Sequence, residues 1–114
     1  MGKYSREKGK RGEREIAAIL RERGYDAHRG QQYHGGGDSP DVVGLPGVHI
    51  EVKFVQAFHL WDALQQSIDD SEGTGDIPVV FHRKAAEKGF QKPPWVVVLR
   101  LDDFLDMYEA AYGK

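Results

Sequence analysis

The sequence predicts a mixed α/β (α+β) domain, a central mixed sheet flanked by helices in the order α-β-β-β-α-β-β-α. Three observations carry this. Residues 77–82 (IPVVFH) and 95–100 (WVVVLR) are near-continuous apolar runs, the pattern of strands covered on both faces. Residues 41–45 and 48–55 are β-branched runs joined through Leu45-Pro46-Gly47, which reads as a hairpin. Three further stretches place apolar side chains at helical spacing.

The first of these is residues 10–23, where Ile16, Ala17, Ile19 and Leu20 form a stripe and Gly24 is a natural stop. Residues 1–9 are polar and basic, and fraying is expected there. Residues 25–29 suggest a short strand, and residues 30–40 (GQQYHGGGDSP) a glycine-rich loop. After the hairpin, residues 57–71 return to helical spacing, with Ala57, Trp61, Leu64 and Ile68 on one face and Gly73 and Gly75 behind. Residues 101–112 close the chain as an amphipathic helix, with Leu101, Phe104, Leu105 and Tyr108 expected to point inward.

At 114 residues the chain reads as one domain, 1–114. It has no cysteine, which excludes a disulfide framework, a thiolate zinc finger and a thiol nucleophile. No apolar run reaches the roughly 18 residues of a membrane span, and the basic start is not followed by an apolar stretch. A cytoplasmic protein without a membrane partner or small-molecule cofactor is the expectation. The net charge of −2 hides an asymmetry: residues 1–30 carry +4 and residues 31–114 carry −6. Cations that hold phosphates beside carboxylates that hold a metal are what a metal-dependent nuclease requires.

The acidic side of that pairing is visible. Glu51 and Lys53 are two apart on a strand and share a face. Asp41 opens the partner strand. With a two-residue loop it would face away from Glu51; with Leu45-Pro46-Gly47 as a three-residue loop it lies directly opposite. The second register, or a compensating bulge, is predicted, because Gly47 suits the left-handed position that such loops need. Glu13 continues the stripe of Ile16, Ala17 and Leu20, and a carboxylate turned inward requires a partner. Three carboxylates and a lysine converging on a sheet suit Mg²⁺, with Mn²⁺ as the alternative, and phosphodiester hydrolysis.

Ser39-Pro40-Asp41 followed by Glu51-Val52-Lys53 resembles the PD-(D/E)xK pattern of restriction-like nucleases. The Gly12-Glu13 helix, the short spacing and the small size resemble the archaeal-type Holliday-junction resolvase branch. His82-Arg83-Lys84 and Pro94 to Arg100 resemble its short phage-encoded members. The resemblance implies a restriction-endonuclease-like sheet and a homodimer that cuts two opposed strands of a four-way junction. It also implies Asp41 and Glu51 as metal ligands with the Val52 carbonyl, Lys53 as the catalytic lysine, and Glu13 as an outer ligand. The alternatives are another nuclease of the class (nicking, flap or restriction-type) on branched or duplex DNA, or a DNA-binding module that keeps the fold without cutting.

Lys8, Lys10, Arg11, Arg14, Arg29, His34, Arg83 and Lys84 are candidates for phosphate contacts, and His82, Lys88 and Lys92 lie in the second basic run. Each has a plain alternative as a solvated charge. His49 shares the face of Glu51 and Lys53 and could approach the metal or the scissile phosphate, but is expected nearer the turn without a chemical role. Asp69, Asp70 and Glu72 read as a solvated helix end. Gln65 and Gln66 follow the lysine, where related nucleases often place a glutamine. Trp61 and Trp95 read as core or dimer contacts.

Overall fold

The computed structural model describes residues 3–30, 39–54, 59–84 and 93–113. The elements are α1 (Lys3–Glu22), β1 (His28–Arg29), β2 (Val42–Val43), β3 (Val48–Phe54), α2 (Leu60–Ser71), β4 (Ile77–Arg83), β5 (Val96–Val98) and α3 (Leu101–Tyr112). The order is the predicted one. The strands form one sheet in chain order, antiparallel except for the parallel β3–β4 pair, which α2 connects. A parallel pair needs such a crossover. The glycine-rich loop with His34, and Lys88 and Lys92, lie outside the described residues.

The sheet separates two layers. On one face Ile50, Val52 and Val79 pack with Ile16, Ala17 and Leu20 of α1. Burying an Ile or Leu side chain contributes about 1.5–3 kcal/mol, so this stripe anchors α1. Gly12 permits the contact, since a Cβ there would lie 2.9 Å from that of Phe54. On the other face Val80 packs with Ala63 and Leu64 of α2. Ser67, fully buried, shares its hydroxyl between the carbonyls of His49 (3.2 Å) and Val79 (3.1 Å), which fixes α2 across the β3–β4 seam.

Two sequence expectations change. The first helix begins at Lys3 rather than residue 10, because Gly9 and Gly12 do not interrupt it. The last helix does not face inward. None of its residues is buried, and Leu101, Phe104, Leu105 and Tyr108 are 68, 49, 41 and 49 % exposed. Periodicity located its apolar stripe, but β5 is a short edge strand of three residues and no further layer covers α3 among the described residues. Trp61, 78 % exposed, is not a core residue either.

Candidate active site

The hairpin decides the site. Val42 pairs with Ile50, so Asp41 stands opposite Glu51, the predicted register. Gly47, at φ +86°, supplies the left-handed residue of the turn. The Asp41 backbone N–H donates to the Ile50 carbonyl at 2.8 Å, and the Val52 N–H donates to Asp41 Oδ2 at 2.9 Å. Asp41 is thereby locked to β3 by both its backbone and its side chain.

Glu51 is almost fully buried, at 2 % exposure. Burial, then the charge of Asp41 and a hydrogen bond with it, push its carboxyl up to about 8, against the pull of Lys53. Two carboxylates side by side in a low-dielectric setting repel one another, so the buried Glu51 holds its proton more tightly. The two carboxylates offer oxygen donors of the kind that suits a hard divalent ion.

Glu13 approaches Asp41 from the α1 side. Its carboxylate accepts from Arg29 Nε at 2.9 Å. Burial raises its pKa, and the Asp41 charge adds to the rise while Arg29 opposes it. Glu13 is thus within electrostatic reach of Asp41, as the helical spacing predicted. Lys53 is half-buried, and its carbonyl accepts from His82 Nδ1 at 2.9 Å, which ties the lysine to β4.

The basic candidates divide. Lys10, Arg14 and Lys84 are exposed. Arg29 is held by Glu13 at the rim of the acidic cluster. Lys8 and Arg11 lie over the Phe54 ring, 5.7 and 5.2 Å from its centroid. Arg83 departs from its expected surface role. It is 7 % exposed, lies against Phe54 and Trp95 at 4.6 and 5.2 Å, and pairs with Glu15. Its parity explains this: Arg83 is in register with Phe54, on the face turned towards α1. Gln65 and Gln66 are exposed, and Gln65 donates to Asp69 at 2.9 Å.

Two residues near the acids depart from their expected roles. His49 is buried, with Nε2 3.2 Å from Glu51 Oε1. Asp70 brings a carboxylate oxygen to the same place, so that ligand atoms of His49, Glu51 and Asp70 lie within 4.8 Å of one another. Strand parity placed His49 on the face of Glu51 but not its burial or its contact with the carboxylate. Nothing in the sequence could have found Asp70, because only the packing of α2 brings it to β3.

The chain is similar to a solved structure of Hjc, a Holliday junction resolvase from the archaeal hyperthermophile Archaeoglobus fulgidus. Identity is 24 %, the match covers 81 % of this chain and 72 % of that one, and the TM-score is 0.52. That likeness concerns the fold, which is restriction-endonuclease-like, the architecture of PD-(D/E)xK nucleases. A family profile described as archaeal Holliday junction resolvase (hjc) matches residues 4–60, half of the chain, and the chain belongs to that family. The family comprises structure-selective nucleases that depend on a divalent metal and act on branched DNA. A comparison with curated proteins finds no match. Among the described residues, no helix is long and apolar enough to cross a membrane.

Proposed function

We propose that this chain resolves four-way DNA junctions by Mg²⁺-dependent hydrolysis, with Asp41, Glu51, Lys53 and Glu13 as the residues that carry the chemistry. The observation that supports this most is that the hairpin register sets Asp41 opposite Glu51, on the strand that carries Lys53. Asp41, Glu51 and the Val52 carbonyl would hold the ion, with Glu13 as an outer acid. Once bound, the ion would polarise a phosphoryl oxygen and lower the pKa of a water. Lys53 orients the attacking water in line with the scissile phosphate and balances its charge. The Arg29–Glu13 pair holds the outer acid in place. Lys10, Arg14 and Lys84 take the arms by backbone charge, which reads shape rather than base sequence.

Two opposed strands need two active sites, and we propose a homodimer. The support is the unburied apolar face of α3, none of whose residues is buried. Along it Phe104, Tyr108 and Tyr112 stack, with centroid separations of 6.2 and 4.7 Å. A contiguous apolar face of this kind marks a protein contact. The proposed setting is the cytoplasm.

The test is cleavage of a labelled four-way junction and a matched linear duplex in Mg²⁺, with Glu51→Ala in parallel. Symmetrical cuts in the junction alone, absent in the variant, are expected. Cutting of both substrates retains the nuclease and discards junction selectivity. Junction binding with no cutting of either substrate would make the chain a binding module.

A further inference from the structure

His49 and Asp70 take no part in the hydrolysis above, yet both turn towards Glu51. The His49 imidazole and the Glu51 carboxylate are each 2 % exposed and 3.2 Å apart. With one carboxylate oxygen of Asp70 they form a group whose ligand atoms all lie within 4.8 Å of one another. First-row divalent ions bond nitrogen and oxygen at about 2.0–2.2 Å, which places neighbouring donors about 3 Å apart and opposite ones about 4 Å apart. The three side chains need only small adjustments to close on such an ion.

A second observation points the same way. Asp70 Oδ2 is shielded from solvent and has no hydrogen-bond donor among the described residues. Leaving a carboxylate oxygen buried without a donor is costly, and a cation supplies the missing partner. The surroundings are rigid. Ser67, one turn before Asp70 on α2, is bonded to the His49 carbonyl itself, so helix and strand are fixed where the three ligands meet. Asp70 is only half-buried, which leaves the cluster a way to solvent.

We propose that His49, Glu51 and Asp70 form a second divalent-cation position, beside the Asp41–Glu51 position and sharing Glu51 with it, that takes a transition metal such as Mn²⁺ in preference to Mg²⁺. The donor chemistry sets the preference. Imidazole suits first-row transition ions, whereas Mg²⁺ keeps oxygen ligands and water. The inference rests on the reading above only in assigning Glu51 to the first position.

The experiment uses the untagged full chain, stripped of metal and titrated with Mn²⁺. Free Mn²⁺ is followed by electron paramagnetic resonance, and nitrogen coupling to bound Mn²⁺ by electron spin echo modulation. The wild type should bind two Mn²⁺ per chain and show histidine nitrogen coupling. His49→Gln and Asp70→Asn should each bind one fewer ion, and His49→Gln should lose the coupling, while Asp41→Asn retains it. Mg²⁺ should displace the nitrogen-coupled ion at least about tenfold less effectively than the other. One Mn²⁺ per chain in the wild type, absence of nitrogen coupling, or coupling that survives His49→Gln would each overturn the proposal. Should His49→Gln fail to fold, the wild-type spectrum and the Asp70→Asn count decide the matter. Junction cleavage in Mg²⁺ by a wild type that binds a single Mn²⁺ overturns this proposal and leaves the nuclease reading standing. Two bound Mn²⁺ with no cleavage of any DNA does the reverse.

Discussion

Glu51 shows at the scale of one residue how a site works against the fold that holds it. Its pKa of about 8 comes first from burial and then from Asp41. Between the ordinary carboxylate range and that value, the folded metal-free protein holds a proton that the unfolded chain has released. Stability therefore falls as pH rises through this window, and the full penalty is reached above it. Thermal melts in chelator from about pH 5 to pH 9 should show the wild type losing stability across the range. Glu51→Gln keeps the shape and removes the titration, so its melting temperature should stay nearly level and exceed the wild type at the alkaline end. A wild-type profile that is flat, or that rises with pH, would contradict the proton retained on Glu51. The pairing beneath this is legible in the sequence, because strands alternate strictly and Gly47 selects the loop length. The depth of burial is not, since it depends on α2 closing over the same face.

At the scale of elements, α3 is the informative case. Its sequence is as amphipathic as that of a core helix, and periodicity alone places its apolar stripe inside. A hydrophobic stripe reports that something covers it, not what. Here the sheet and two helices already satisfy one another, and α3 is left with Phe104, Leu105, Tyr108 and Tyr112 in solvent. If a second copy covers this face, Phe104→Asp combined with Tyr108→Asp should turn a dimer into a monomer by light scattering. The circular dichroism spectrum should be retained, since no α3 residue is buried in the chain itself. Paired cuts in a junction should then give way to single nicks. A wild type that is monomeric at micromolar concentration would remove the dimer from the proposed function.

At the scale of the whole molecule the question is where the positive charge goes. The His82-Arg83-Lys84 run reads as one basic patch, but a strand cannot turn neighbouring side chains to the same side. Arg83 goes inward to Glu15, Phe54 and Trp95, while Lys84 stays outside. Arg83→Met should lower the melting temperature, because removing one partner of a buried ion pair costs about 3–5 kcal/mol. Lys84→Ala and Lys10→Ala should leave stability unchanged. They should weaken junction binding and reduce the salt dependence of log Kd by about one unit for each phosphate that is no longer neutralised. Binding titrations at several salt concentrations distinguish the two groups, and an unchanged salt slope in both lysine variants would remove them from the interface.

The sequence by itself determined the order of elements, the facing of Asp41 and Glu51 and the inward turn of Glu13. All of these follow from periodicity, turn geometry and the nature of the side chains, which act over a few residues. Tertiary structure alone decided that Asp70 meets Glu51, that Arg83 is internal and that α3 is uncovered. Each depends on which layer packs against which face, and a repeat along the chain records that a face is apolar or charged without recording what lies across from it.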